Sequence, residues 1–344
     1  MNDSAERLAT ASPDGSGAAK PKGGALARRA FLALKLAATV LALVLVARLV
    51  DPAAMMERVR NTNPWLFALA LALMVVQVPL VGLRWRLVVR AMSDERAVVP
   101  GPARFQQIAW IAQFFGQIMP FVAGDGMRVV LLREAGPSLR VAFKSTLLDR
   151  GIAALALFAM ALPAALFSRV LAAAGAFLPP VILFITAGLL GAVAMLACVD
   201  VIHRFGARWR IVGAVTETIR DMRDILLSRF YAPRVVALCF AIHGISILAF
   251  WLLAQGQRLP FDLADAVAIV PLVLLVSMIP IAVGGWGLRE GFVVALLGAA
   301  GIGTDGALLL SLSFGTVVLI AALPGVAILA LSTRASGSPA AERT

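Results

Sequence analysis

The sequence predicts an all-α polytopic membrane protein with about six full spans, two re-entrant broken helical hairpins and an inverted-topology repeat. Three observations lead to this prediction. Hydrophobic residues make up 61% of the 344 residues, whereas soluble domains are about 45–50% apolar. Several apolar runs approach the roughly 20 residues that cross a bilayer. Lysine and arginine are concentrated in the segments between these runs.

The full spans are predicted where apolar residues run almost without interruption. They cover about 30–50, 64–83, 151–168, 177–199, 235–255 and 307–331. Residues 1–29 before them are polar and rich in Gly, Ala, Ser and Pro, a composition typical of a disordered tail. Residues 332–344 are predicted to form a second such tail. The transmembrane domain is therefore expected over 30–331, with both tails in the cytoplasm.

The basic residues predict the topology. Of the 31 lysines and arginines, 25 lie in five segments: the tail to Lys35, Arg84–Arg104, Arg128–Arg150, Arg204–Arg234 and the C-terminal residues. Cytoplasmic segments carry the excess of Lys and Arg in membrane proteins, so these segments and both termini are predicted to be cytoplasmic. Because the basic segments alternate with spans, topology explains the net charge of +12 better than nucleic-acid binding does.

Two further apolar segments, about 105–132 and 266–300, are interrupted near their middle by proline and glycine. The first lies between basic segments, so it should enter and leave from the cytoplasmic side. The second lies between charge-poor loops, so it should enter from the opposite side. Each is too short for two full spans, and irregular backbone at this depth must be covered by protein or water. Both are therefore predicted to be re-entrant hairpins.

The order of these elements predicts an inverted repeat. Span, span, hairpin and span occur twice, in halves of about 30–168 and 177–331, and an odd number of crossings turns the second half upside down. The two breaks share Pro-x-x-x-Gly, at Pro120 and at Pro280, 160 residues apart. A chance match in a Gly- and Pro-rich membrane protein is the alternative. Inverted-repeat transporters bind substrate at the repeat interface, beside discontinuous helices.

The segment "RWRIVGAVTETIRDMRDILLSRF", Arg208–Phe230, has apolar residues at steps of three and four with charges between them. This pattern predicts an amphipathic helix. Two positions are open for it. It could lie on the cytoplasmic membrane surface among anionic headgroups, or it could be a connector packed on the helix bundle.

Charged residues flank both breaks. "MPFVAGDGMRVVLLREAG" and "LLDRG" surround the first, and "GGWGLREG" follows the second. Ionisable groups at membrane depth usually face a cavity or a partner, and the planar donor fork of arginine suits phosphate. Arg289 and Glu290 lie on the charge-poor side, where topology does not account for them. The candidate groove charges are Asp125, Arg128, Asp149, Arg150, Arg289 and Glu290.

Helices that start at a glycine break also present free N–H groups and the positive end of a dipole. Gly124–Gly126 and Gly284–Gly287 are therefore predicted anion cradles, and Gly124, Gly284 and Gly285 join the charged residues as substrate-binding candidates. Other interpretations stay open at this point. Arg128, Arg133 and Arg150 could be topology anchors, and Asp149 with Arg150 could be a structural pair that caps a helix.

Several function classes are not expected. The chain has no GxxxxGK[ST] loop, no His/Cys/carboxylate cluster with metal-ligand spacing and no visible nucleophile–base pair. We therefore expect no cofactor, no metal and no enzymatic activity. His203 is expected at the membrane interface. His243 lies within a span, where it is either a satisfied structural residue or a polar contact. Cys198 and Cys239 are expected to be buried thiols.

The motifs around the breaks carry a family resemblance. "FFGQIMPFVAGDGMRVVLLREAG…KSTLLDRG" and "PIAVGGWGLREG" resemble the two signatures of the flippase-like, lysylphosphatidylglycerol-synthase transmembrane-domain family, and the layout resembles it over about residues 30–331. The second signature is the more specific. The first departs from the usual Gly-Gly-Asp run, with Ala123 before Gly124, and has Gln117 and Met119 where Asn and Leu are usual.

The resemblance implies a membrane protein that moves or handles lipids. Members fused to an aminoacyl-transferase domain attach lysine to phosphatidylglycerol and translocate the product, but this chain ends at Thr344, so lysyl-lipid synthesis is not expected. The first hypothesis is a bacterial inner-membrane flippase for phospholipids or isoprenoid lipids, with the headgroup between the two hairpins. The alternative is a non-transporting accessory subunit of a lipid, hopanoid or envelope glycan pathway. The expected partners are membrane lipids and a lipid-biosynthesis enzyme, without nucleic acid.

Overall fold

The computed structural model describes residues 52–93, 98–119, 122–206, 208–279 and 285–336. The described ranges are almost entirely helical and contain no β-strand. The predicted N-terminal tail, residues 1–29, and the predicted first span, residues 30–50, lie outside them.

The helices follow one another with short connections. In chain order they are α1 (Pro52–Arg60), α2 (Pro64–Met92), α3 (Pro102–Ile118), α4 (Val122–Glu134), α5 (Leu139–Ala165), α6 (Arg169–Ala173), α7 (Leu178–Gly206), α8 (Arg210–Leu227), α9 (Tyr231–Gly256), α10 (Leu263–Ser277), α11 (Leu288–Ala299), α12 (Thr304–Ala322) and α13 (Pro324–Ser336).

Five stretches of the described chain are long and apolar enough to cross a membrane: α2, α5, α7, α9 and the combined stretch of α12 and α13, Thr304–Ser332. They correspond to the five predicted spans that the structure describes. The protein is therefore an all-α polytopic membrane protein, and the predicted fold class is confirmed. At the C-terminus, α13 is helical to Ser336, beyond the predicted start of the tail at residue 332.

Helix ends differ from the predicted span ends because hydropathy marks membrane depth, whereas caps mark where a helix begins. The span predicted from residue 151 begins at Leu139, where the Ser138 side chain accepts a hydrogen bond from the Val141 amide at 3.3 Å. Asn63 caps α2 in the same manner, with Pro64 at the first helical position. The polar residues around Lys144 therefore belong to α5, although they lie before the predicted span.

Each predicted broken segment consists of two helices. Residues 105–132 form α3 and α4, and residues 266–300 form α10 and α11. Pro120 and Pro280–Gly284, which carry the shared Pro-x-x-x-Gly pattern, lie outside the described residues. The inverted repeat and the re-entrant orientation of the two pairs remain predictions.

Gly124 lies in the first turn of α4, where it allows a close approach to α3. A Cβ atom on Gly124 would lie 2.7 Å from the Ala112 carbonyl oxygen and 3.0 Å from the Gly116 Cα. Real Cβ atoms essentially never come within 3.0 Å of another heavy atom, so the contact with the Ala112 carbonyl oxygen alone would force the helices to shift. Gly124 is therefore a packing residue on its Cα side, and its role in an anion cradle remains a prediction. A Cβ on Gly126, two residues later, would meet nothing within 4 Å.

The two glycines of α4 give a matched test of this packing. Gly124→Ala is expected to cost about 1–3 kcal/mol of stability, because the added methyl group must separate two helix backbones. Gly126→Ala is expected to be neutral or slightly stabilising, since alanine favours the helix. Thermal unfolding of the two purified variants in detergent measures the difference. Equal unfolding temperatures would contradict the close approach.

Two pairs of buried aromatic rings fix how α2, α3, α9 and α12 pack together. Phe250 of α9 packs edge-on against Phe314 of α12, with ring centroids 5.4 Å apart. Trp85 of α2 packs edge-on against Phe105 of α3 at 5.0 Å. All four rings are at most 2% exposed. Because buried aromatic pairs contribute much of a core's packing, they hold α2 and α9 against their neighbours.

The predicted amphipathic segment forms α8 and packs on the bundle. Arg140 and Lys144 of α5 form ion pairs with Glu217 and Asp221 of α8. Asp200 of α7 accepts hydrogen bonds from Arg220 Nε at 2.8 Å and Arg223 Nη1 at 2.6 Å. His203 of α7 contacts the Thr216 hydroxyl at 2.7 Å. These contacts favour the connector interpretation, although outward apolar residues such as Ile211 are exposed. Contact with headgroups remains a prediction.

Candidate functional site

A cavity of about 200 Å³ lies among α2, α5, α9 and α12, and both broken segments contribute residues to its wall. Gln117 and Arg128 come from α3 and α4. Ser277 and Arg289 come from α10 and α11. The volume far exceeds the 10–15 Å³ that one water needs by a comparable measure. Residues on either side of the two breaks therefore face one space.

Asp149 is the centre of the first charge network. Its carboxylate accepts hydrogen bonds from Arg84 Nε at 2.8 Å and Nη2 at 3.1 Å, and from Arg128 Nη1 at 3.0 Å. Asp149 is fully buried, and each arginine is only 4% exposed. A buried carboxylate between two guanidinium groups compensates part of their desolvation. It also orients both guanidinium groups, which line the cavity.

Arg150, the next residue, faces a different partner. Its guanidinium contacts the Asp125 carboxylate, with Nε to Oδ1 at 3.0 Å and Nη2 to Oδ1 at 3.0 Å. The Arg150 side chain is 34% exposed and lines the cavity. Asp149 and Arg150 are not a pair that caps a helix, because they lie in the interior of α5 and pair with α2 and α4.

Arg289 and Glu290 form the second charge network. Arg289 Nε and Nη2 both donate to Glu290 Oε1, at 2.9 and 2.6 Å, and the Ser311 hydroxyl donates to the same oxygen at 3.2 Å. Glu290 is fully buried and Arg289 is 3% exposed. The Arg289 guanidinium also lies 4.8 Å from the centre of the Trp286 ring. The ion pair and the ring together hold Arg289 at the cavity wall.

Backbone groups of the glycines at the second break form hydrogen bonds within the chain itself. The Gly287 amide donates to Glu290 Oε2, and the Gly285 carbonyl accepts from the Arg289 amide at 3.1 Å. Both glycines have positive φ, 79° at Gly285 and 86° at Gly287, which side chains other than glycine rarely adopt. The predicted free donor at Gly287 is thus taken, and the two glycines turn the chain into α11. Gly284 lies outside the described residues.

The electrostatics of the cavity wall are one-sided. Among the residues that the structure describes, four arginines line it: Arg84, Arg128, Arg150 and Arg289. Their carboxylate partners, Asp125, Asp149 and Glu290, are not lining residues and lie behind them. Four guanidinium charges less three carboxylate charges leave one positive charge in excess. The wall therefore presents guanidinium donors with a net positive charge toward the cavity.

The structure brings together three of the predicted arginines and adds residues that the sequence reasoning missed. Arg84 was counted only among the topology residues, and Gln77 was not singled out. Both line the cavity from α2. Their seven-residue separation, two helical turns on one face, was the available signal, with Gln77 polar inside an apolar run. His243, an open case in the sequence, also lines the cavity.

Arg133 and Arg128 were each open to two interpretations, a topology anchor at the membrane surface or a residue of the groove. Arg133 is exposed and outside the cavity, which fits a topology anchor. Arg128 is buried in the Asp149 network, so it is no surface anchor.

Of the two cysteines, Cys239 is buried and accepts a hydrogen bond from Arg84 Nη1 at 3.5 Å. Cys198 is exposed, so its predicted burial is wrong.

The helical spans and the cavity together define a multi-pass membrane protein with an arginine-lined internal site. The chain belongs to the family described as the lysylphosphatidylglycerol synthase TM region, whose model matches residues 32–325. It is similar to a UPF0104 membrane protein of Methanothermobacter thermautotrophicus, with 26% identity over 285 residues, which cover 73% of this chain and 78% of the relative.

Proposed function

We propose that this membrane protein is a flippase that binds the anionic headgroup of a lipid in the arginine-lined cavity and carries it across the bilayer. The observation that carries the proposal is the composition of the wall: four arginines line the cavity while their three carboxylate partners lie behind them. Guanidinium groups recognise phosphate oxygens through paired N–H donors. The family match supports a role with lipids.

The arginines keep donors for a ligand. In the described contacts Arg128 donates to Asp149 through Nη1, and Arg289 donates to Glu290 through Nε and Nη2. A guanidinium has five N–H donors, so each side chain has further groups that can reach a phosphate. The carboxylates orient the arginines before the ligand arrives, which lowers the entropy cost of binding.

The proposed path follows from the same arrangement. The headgroup occupies the polar cavity between α3–α4 and α10–α11, while the acyl chains stay in the bilayer. The lipid is the ligand, and the proposal needs no cofactor, metal or chemical step. The proposed location is a bacterial inner membrane, and the basic-residue distribution supports termini in the cytoplasm.

The direct test is translocation of acyl-labelled anionic phospholipid in liposomes that contain only the purified chain. Wild type is expected to move the lipid, and Arg150→Gln is expected to slow it about tenfold, since one charge-assisted hydrogen bond contributes about 1.5–3 kcal/mol. Arg150 is the arginine of choice because it is 34% exposed, so its loss disturbs the core least. Dithionite quenching of the label measures the rate.

Arg133→Gln is the matched control, because Arg133 is an exposed arginine outside the cavity, and its rate should equal that of wild type. A folded wild-type protein that binds anionic lipid but moves none would refute the flippase proposal and favour a non-transporting accessory subunit. Equal rates for wild type and Arg150→Gln would refute the site.

A further inference from the structure

Gly315 is a buried glycine in the interior of α12, and its neighbours are the groups of the second charge network. Glycine destabilises a helix interior relative to alanine, because it loses more backbone freedom on folding. The backbone at Gly315 is helical and does not have a positive φ, so the conformation itself does not require glycine. The feature that sets this position apart is the side chain that lies against it.

The Arg289 guanidinium lies in the space that a side chain at position 315 would fill. A Cβ atom on Gly315 would overlap Arg289 Nη2, and it would lie 3.0 Å from Arg289 Cζ and 2.8 Å from Trp286 Cη2. Real Cβ atoms essentially never come within 3.0 Å of another heavy atom. An alanine at position 315 and the observed place of the Arg289 guanidinium therefore exclude each other.

The overlapped atom is one of the two that join Arg289 to its carboxylate partner. Arg289 Nη2 donates to Glu290 Oε1 at 2.6 Å, and Arg289 Nε donates to the same oxygen at 2.9 Å. The Ser311 hydroxyl also donates to this oxygen, at 3.2 Å. Because Ser311 and Gly315 are four residues apart on α12, they lie on one face of the helix. This face binds the carboxylate at Ser311 and leaves room for the guanidinium at Gly315.

A methyl group at position 315 is expected to displace the guanidinium rather than the helix. The guanidinium is the far end of a flexible side chain, whereas α12 is held by buried residues on both sides of Gly315, such as Phe314 and Val317. The displaced group would lose the Nη2 hydrogen bond to Glu290 and the orientation with which Arg289 lines the cavity. The fold should therefore survive the change while the site is altered.

We infer that Gly315 is a positioning residue of the candidate site: the absence of a side chain there lets the Arg289 guanidinium reach Glu290 and present its remaining donors to an anion in the cavity. The inference rests on the proposed binding of an anionic headgroup and deepens it. It assigns a role at the site to a residue of α12 that carries no charge and is not among the residues lining the cavity.

Gly315→Ala in the full chain tests the inference. Equilibrium binding of acyl-labelled phosphatidylglycerol to the detergent-solubilised protein is expected to weaken about tenfold or more, the scale of one charge-assisted hydrogen bond. The unfolding temperature, measured in parallel, shows whether the variant is folded. Gly244→Ala is the matched control, because Gly244 lies in the interior of α9 and a Cβ atom there would meet nothing within 4 Å. The control should bind the lipid and unfold like wild type.

A double-mutant cycle with Arg289→Lys separates positioning of Arg289 from a general disturbance of α12. Lysine keeps a positive charge for Glu290 but has no guanidinium for the added methyl group to overlap. Arg289→Lys alone should weaken binding, and adding Gly315→Ala should weaken it by no more than about twofold further, because residues in contact do not act additively. If the methyl group acted through α12 or Trp286 instead, its tenfold effect would persist in the Arg289→Lys protein and would overturn the inference.

The remaining outcomes distinguish this inference from the proposed function. Unchanged lipid affinity in a folded Gly315→Ala protein would overturn the role of Gly315 and leave the flippase proposal standing. If wild type bound no anionic lipid, the flippase proposal would fail, and the cycle would be measured by unfolding temperature. The same measurement decides if Arg289→Lys leaves no detectable binding. A loss of stability on Gly315→Ala that disappears in the Arg289→Lys protein would then uphold the contact with Arg289, and any other result would overturn it.

Discussion

Asp149→Asn is expected to destabilise the folded protein by about 3–5 kcal/mol, the usual cost of removing one partner from a buried ion pair. The Asp149 carboxylate is fully buried and is the shared partner of Arg84 and Arg128. With a neutral amide there, two buried guanidinium groups would face each other without a compensating charge. Thermal or denaturant unfolding in detergent measures the loss, and the expected readout is a large fall in the unfolding temperature.

Asp200→Asn is the matched control for Asp149→Asn. Asp200 also bridges two arginines, Arg220 and Arg223, but its side chain is 55% exposed. Exposed ion pairs contribute little because water screens them, so this variant should unfold close to wild type. If the two variants were equally stable, burial would not be what makes the Asp149 network important.

Glu290→Gln is expected to combine a comparable loss of stability, about 3–5 kcal/mol, with a loss of anionic lipid binding. Glu290 is fully buried, accepts two hydrogen bonds from Arg289, and accepts the Gly287 amide at the start of α11. The amide would leave Arg289 without a charge partner. The guanidinium would then lose the orientation that directs it to the cavity.

The measurement for Glu290→Gln has two parts. Unfolding temperature reports the stability, and lipid affinity at a temperature where the variant is still folded reports the position of Arg289. Glu217→Gln is the control, since Glu217 pairs with Arg140 at the surface, with a side chain 42% exposed, and should cost less than about 1 kcal/mol. Undiminished lipid affinity in the folded Glu290→Gln protein would contradict the role of Arg289.

Much of the fold could be predicted because a bilayer imposes a strong constraint on sequence. A span must be apolar over about 20 residues, so the five spans that the structure describes were found. The two broken segments were also found, since Pro and Gly interrupt an apolar run visibly. The start of α5 was placed twelve residues late, because Arg140 and Lys144 are polar although they are helical.

The sequence could predict which charged residues form the candidate site, but it could not predict which of them pair with each other. Charged residues beside a break are costly in a membrane, which pointed to Arg128, Arg150 and Arg289. The sequence did not show that Asp149 and Arg150, adjacent in the chain, have different partners: Asp149 pairs with Arg84 and Arg128, whereas Arg150 pairs with Asp125. Adjacent residues on a helix point about 100° apart, so their partners depend on which helices lie on each side.

The glycine cradles show the same limit. A glycine in a break is consistent with an open anion site and with a tight backbone contact. At Gly124 the neighbouring α3 backbone leaves no room for a Cβ, and at Gly287 the Glu290 carboxylate takes the amide. Either contact depends on positions brought together by folding, which composition does not reveal.

The sequence by itself determined the class of this protein, its spans, its two breaks and the residue types available to bind an anion. These follow from hydropathy and charge, which act locally along the chain. Only the tertiary structure decided that arginines from α2, α4, α5 and α11 line one cavity with their carboxylates behind them. It also gave Arg84 and His243 their places in that wall. The physical reason is that a side chain's partner is set by helix packing, which brings residues as far apart in the chain as Met74 and Val318 to one cavity.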